Sequence, residues 1–218
     1  MTDNYEVLFR QVWDEQVHET KEDKRNRGYK PERWYTSGRS SKAHPNKEDE
    51  SWWFEKGPGF IKSWVNWRNA SGLTFWTAPD EEPGIELPVE ATRKDGLKVL
   101  SVIDRVMENA DGELFIVDLK SGSQTPAWPR QLALNNLGLY YTYGVWAEKG
   151  GFWNARKGGV ATWYDLSVYT EDWLWGQIWR AREIRDLGLF VAQPGNLCNS
   201  ACGCATTVQR SMVCYLLR

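Results

Sequence analysis

Two aspartates and a lysine carry the most specific chemistry available to this chain. Asp104 lies in Ile103-Asp104-Arg105-Val106, and Asp118 and Lys120 lie in Asp118-Leu119-Lys120-Ser121-Gly122. An acid facing an acid-x-lysine triplet is minimal equipment for metal-assisted phosphodiester hydrolysis. Carboxylates suit Mg²⁺, which keeps several waters and takes few protein ligands. Such a metal polarises the scissile phosphate and lowers the pKa of its bound water. The lysine orients the nucleophile or stabilises charge developing on phosphorus. Asp104 also sits inside an apolar run, where a charge without a partner is costly.

These residues need a hairpin to bring them together. Asn109-Ala110-Asp111-Gly112-Glu113 is a turn signal between two runs rich in β-branched and apolar residues, Leu97 to Met107 and Leu114 to Leu119. With Ala110-Asp111-Gly112 as the loop, Asp104 falls opposite Asp118, and opposed residues have Cβ atoms about 5 Å apart. Side chains alternate along a strand, so Asp118 and Lys120 share a face while Leu119 points into the core.

The remaining elements frame that hairpin. Helical patterning covers residues 5–24, followed by a polar loop over 25–50 in which seven Lys and Arg residues interleave with Trp34 and Tyr35. A second helix is expected over 47–69, broken at Gly57-Pro58-Gly59. Strands are expected at 84–92, 97–108 and 113–120, then a helix at 129–148 and a strand at 158–169. A last helix over 171–188 is capped by Thr170 and stopped by Gly188. This order predicts an α/β sandwich with a central mixed sheet flanked by helices. At 218 residues the simplest organisation is one domain over 1–218. It comprises a helical region with its charged loop (1–69), a core (83–188) and a cysteine-rich tail (189–218).

The strings Ile-Asp-Arg-Val and Ile-Val-Asp-Leu-Lys-Ser-Gly, joined by a short acidic turn, resemble motifs II and III of the RecB-like branch of the PD-(D/E)XK nucleases. That branch includes the CRISPR-associated RecB-like exonucleases and their phage relatives. The resemblance runs from Pro83 to about Tyr143. It implies a restriction-endonuclease-like core, Mg²⁺ or Mn²⁺ held by Asp104 and Asp118, and Lys120 as the catalytic lysine. It further implies a DNA exonuclease of recombination or repair, with DNA and recombination proteins as partners. The family's glutamine on the following helix matches Gln131, while Asn135 stands where a tyrosine is usual, leaving that role empty or shifted to Tyr140 or Tyr141. The upstream glutamate matches Glu86, with Glu90 in reserve. The family's opening helix and Gly-x-x-x-His are absent, and neither His18 nor His44 has the required setting. The chain therefore reads as a nuclease domain lacking its motif I segment, and an inactive DNA- or partner-binding domain is the alternative.

All four cysteines lie near the end: Cys198, Cys202, Cys204 and Cys214. No signal peptide opens the chain, and no run of about twenty apolar residues could span a membrane. The expected setting is cytoplasmic, in the host for a phage-encoded chain, where thiols favour metal over disulfides. Four thiolates can hold an iron–sulfur cluster, which many RecB-like nucleases clasp with one early and three late cysteines, or Zn²⁺; the early cysteine is absent here, and the spacing matches neither a zinc ribbon nor the usual C-terminal cluster pattern. A net charge of −2 gives no global nucleic-acid signature, so a basic groove would have to be local. The fourteen tryptophans, clustered at 52–76 and 173–179, are expected to be mostly core, with some free to stack on unpaired bases.

Overall fold

The computed structural model describes residues 4–34, 48–122, 124–126 and 128–188. The chain divides into two compact units, Met1–Tyr169 and Thr170–Arg218.

The first unit opens with two long helices, α1 (Tyr5–Asn26) and α2 (Glu50–Ser71), with a single 3₁₀ turn at Pro31–Arg33 between them. Asp49 caps α2 by accepting a hydrogen bond from the Trp52 N–H at 3.0 Å, and Gly72 ends it in the left-handed region. Contrary to the expectation of a break, α2 runs without interruption through Gly57-Pro58-Gly59. Proline removes one helical hydrogen bond, but tertiary packing overrides that loss. A Cβ at position 57 would lie 2.2 Å from Cζ of Phe9, so the glycine marks where α1 packs against α2. Lys21 and Glu50 form an ion pair between the two helices at 2.7 Å.

The sheet is built on β3 (Lys98–Glu108), its longest strand. Along one edge β3 pairs antiparallel with both β1 (Thr74–Phe75) and β2 (Ile85–Thr92). Along the other it pairs antiparallel with β4 (Leu114–Lys120). Helix α3 (Arg130–Tyr143) then crosses to β5 (Lys149–Asn154), which lies parallel to β4, and β6 (Gly159–Asp165) closes the sheet antiparallel to β5. The α/β class with a mixed central sheet is therefore as expected from the sequence. Helix α3 and strand β5 differ from that expectation. The helix stops at Tyr143 rather than 148, and β5 forms in a stretch whose Gly150-Gly151 disguised it. Gly150 is nevertheless a strand residue, because a Cβ there would lie 3.2 Å from Cδ1 of Leu132 on α3.

Both faces of β4 are covered, and Leu114 to Asp118 are buried without alternation, as in a strand packed on two sides. On one face Val106 and Ile116 join Leu87, Val89, Ile103, Leu132, Leu139 and Phe152. On the other, Met107 and Val117 join Trp153, with Phe60, Trp64 and Trp67 of α2 packed against them. The tryptophans here are core: Trp64 meets Trp153 edge-on at 5.2 Å and Trp76 meets Tyr143 at 5.6 Å. Ile103 and Val106 face the same core although their parity differs, so the side-chain alternation of β3 is broken between them, at Asp104 and Arg105, while its register with β2 is unchanged.

The second unit contains α4 (Glu171–Asp186), for which the Thr170 hydroxyl accepts from the Trp173 N–H at 3.3 Å. Gly188 follows at φ 66°. No helix among the described residues is long and apolar enough to cross a membrane.

Gly138 sets how closely α3 approaches β2, since a Cβ there would lie 2.5 Å from Cγ2 of Val89. Gly138→Ala gains about 1 kcal/mol of helix propensity but overpacks a contact where such strain costs about 1–3 kcal/mol. The expected result in thermal unfolding is a net fall in Tm of about 2–4 °C.

Candidate active site

The turn folds as its residues dictate. The Asn109 side-chain oxygen accepts from the N–H groups of Asp111 and Glu113 at 3.0 and 2.9 Å, and Gly112 takes φ 81°, which closes a three-residue loop with a left-handed last position. The register that follows, Glu108↔Leu114 through Arg105↔Val117, leads at its next step to Asp104 opposite Asp118. There the regular ladder gives way. Oδ2 of Asp104 accepts the Leu119 N–H at 2.7 Å, so a carboxylate takes a place that a backbone carbonyl would fill. The alternation of β3 is broken at this same point. Leu119 packs toward the α2-side core, as the alternation requires.

Asp118 is 1 % exposed. Burial pushes its carboxyl above the usual aspartate range, Lys120 opposes this, and the like charge of Asp104 adds to it. Lys120 Nζ stands 2.6 Å from Asp118 Oδ2, a charge contact outside hydrogen-bonding angles, so the buried oxygen has no directed donor. The same Nζ donates to Oε1 of Gln131 at 3.1 Å. Asp118 and Lys120 at the end of β4 and Gln131 in the first turn of α3 thus form one line, with Asp104 joined to it through the Leu119 amide.

A second set of residues holds this strand end. The three consecutive carbonyls after Leu119 are each taken by a donor at the end of β5. The Ala155 N–H donates to Lys120 O at 2.9 Å, Arg156 Nε to Ser121 O at 2.8 Å, and Asn154 Nδ2 to Gly122 O at 3.0 Å. The other two guanidinium nitrogens of Arg156 grip both carboxylate oxygens of Glu48 at 2.6 and 2.5 Å, beside the rings of Trp52 and Trp53. Sequence reasoning missed Asn154 and Arg156 because it missed β5. The pattern that could have found them is Asn-x-Arg directly after an apolar Phe152-Trp153 pair.

Glu86 lies between the pairs Ile85↔Arg105 and Leu87↔Ile103, at the level of Asp104. It takes φ 48°, unusual for a residue with a side chain, and its exposed carboxylate pairs with Arg105 Nη1 at 3.1 Å rather than turning to the two aspartates. Arg105 also donates to the Asp104 carbonyl. Glu90 is four residues further along β2, about 13 Å away, and is paired with Lys98. Asn135, one helical turn after Gln131, is buried with its Nδ2 unpartnered. Tyr140 stacks on Trp146 at 4.7 Å, nine residues from Gln131 and so about 14 Å along the helix. His18 is an exposed residue of α1 that lies 3.9 Å from Glu22. His44 and the four cysteines Cys198, Cys202, Cys204 and Cys214 lie outside the described residues.

The donor set fits a hard cation held by few protein ligands. Mg²⁺ is commonly bound by one or two carboxylates, with waters and substrate phosphates completing the octahedron. Asp104 and Asp118 supply two, and the buried Asp118 Oδ2 has no directed donor to compete. Among the described residues no cluster of three or more His, Cys, Asp or Glu side chains is grouped to hold a metal.

The raised pKa of Asp118 has a sign that can be tested. A carboxyl whose folded pKa lies above its unfolded value costs stability once it ionises, so the cost grows as pH rises through that interval and is complete at neutral pH. In chelator at pH 7, Asp118→Asn should raise Tm by about 2–4 °C, the equivalent of roughly 1 kcal/mol. The gain over the parent should shrink as pH falls toward about 4, the ordinary aspartate range. An equal gain at both pH values would show that ionisation of Asp118 is not its source.

The chain matches no known protein-family model, and no curated protein is significantly similar to it.

Proposed function

We propose that this chain is a divalent-metal-dependent DNA exonuclease built on a restriction-endonuclease-like core, of the RecB-like type and acting in recombination or repair. The observation that carries the reading is the convergence at one strand end. A buried Asp118 contacts Lys120, which contacts Gln131, while the Asp104 carboxylate crosses to the adjoining backbone amide. The resemblance of the two strand motifs to the RecB-like nucleases supports the same assignment.

In this reading Asp104 and Asp118 would hold Mg²⁺ or Mn²⁺, which when bound supplies a Lewis acid for the phosphate and a more acidic water. Lys120 at the strand end faces the negative charge that develops on the phosphoryl oxygens. Gln131, which accepts from Lys120, fixes that ammonium and presents its own amide N–H groups to the phosphate or the attacking water. The Asn154–Arg156 clamp holds the backbone from Lys120 to Gly122, and with it the position of the lysine. The four cysteines are assigned an iron–sulfur cluster, or as the second choice Zn²⁺, on their number and on the family resemblance. The cytoplasm, or that of a phage host, is the matching compartment.

The second reading, an inactive domain that keeps DNA or partner binding, is favoured by the lack of a third ligand grouped with the two aspartates among the described residues. End-labelled DNA separates the two. The expected outcome is Mg²⁺- or Mn²⁺-dependent degradation that falls about 10²–10³-fold in Asp118→Ala and in Lys120→Ala. A folded parent without metal-dependent cleavage would establish the inactive reading instead.

The clamp gives its own expectation. Arg156→Ala removes the bidentate Glu48 pair and one of the three carbonyl contacts, and should cost about 2–4 kcal/mol of stability, read by urea unfolding. Arg156→Lys should restore less than half, because an ammonium cannot reproduce the fork.

A further inference from the structure

Most tryptophans of the first unit with a described setting are packed against other rings. Trp128 is the exception. It is 69 % exposed, the most exposed tryptophan among the described residues, and has no aromatic, cationic or hydrogen-bonding partner among them. It stands on the segment that leads from Lys120 into α3, three residues before Gln131, whose side chain touches the Lys120 ammonium. The neighbouring Pro129 is buried, and its carbonyl accepts the Ala133 N–H at 2.9 Å, so the base from which Trp128 projects is fixed. Arg130, on the other side of Pro129, is also exposed.

A large flat apolar ring left in water three residues before the partner of Lys120, with an arginine two residues away, matches one ligand chemistry. A nucleobase offers the π-face, and its phosphate offers the charge. A base inside a duplex has both faces covered by its neighbours, so the ring is open to an unpaired base or to the last pair at an end. We propose that Trp128 is a stacking platform for an unpaired nucleobase beside the scissile phosphate. This rests on the nuclease reading for the identity of the site, but its test needs no cleavage.

The experiment is fluorescence anisotropy of the full chain in chelator. The probes are a labelled oligothymidylate of about twelve nucleotides and an abasic oligomer of equal length. The parent should bind the oligothymidylate more tightly than the abasic strand. Trp128→Ala should lose about tenfold on the oligothymidylate and nothing on the abasic strand, while Trp128→Phe keeps most of the affinity. Trp128 is exposed, and an unchanged Tm for each variant confirms folding. The proposal is overturned if Trp128→Ala binds oligothymidylate as the parent does, if it weakens equally on both probes, or if the parent does not distinguish them. Failure of the nuclease reading shows separately, as absence of metal-dependent cleavage by the parent.

Discussion

The fold places an aspartate where burial disfavours its charge. Asp118 occupies the last buried position of β4, with cores on both faces of the strand and a carboxyl raised by desolvation. Lys120 answers that cost, while the like charge of Asp104 adds to it. Lys120 stands two residues on along the same face, Gln131 steadies the lysine, and Asp104 takes the next backbone donor. A buried ion pair of this kind is weak evidence for stability, because desolvation offsets most of the attraction. Its retention in a strand otherwise made of Leu, Phe, Ile and Val points to a use for the charge rather than for the packing.

The sheet provides the means. β3 runs as a regular partner of β4 from Glu108 to Arg105, and beyond that its alternation is broken and the Asp104 carboxylate meets its neighbour's backbone. On the other edge, Glu86 answers the same irregularity with φ 48° and an ion pair to Arg105. Such strained positions cost about 1–3 kcal/mol and persist where the surroundings over-determine them. Here the surroundings are one core, which holds Ile103 before the irregular position and Val106 after it.

The hairpin was readable from sequence because each of its signals is local. Asn109 and Gly112 set the loop, the loop length sets the register, and the register sets Asp104 against Asp118. Gln131 followed from its distance along a helix whose start was visible. The rest was hidden because it depends on contacts distant in sequence. Gly57-Pro58-Gly59 reads as a break until Phe9 is known to lie on it. Gly150-Gly151 reads as a loop until Leu132 and Val160 are known to fill the space beside it. The orientation of Glu86 was also invisible, since strand parity predicts an ordinary side chain and the backbone there is not ordinary.

The clamp on residues 120–122 has a consequence for the order in which the chain acquires its site. The hairpin of β3 and β4 joins residues close in sequence, and such contacts form early and quickly. The donors that hold the strand end come from Asn154, Ala155 and Arg156, which arrive only after α3 has crossed and β5 has paired in parallel. Parallel pairing requires this crossover and is intrinsically slow. The hairpin that carries the two aspartates is therefore expected to form before the donors that hold residues 120–122 are in place, so that the strand end beside Lys120 is fixed only when β5 has docked.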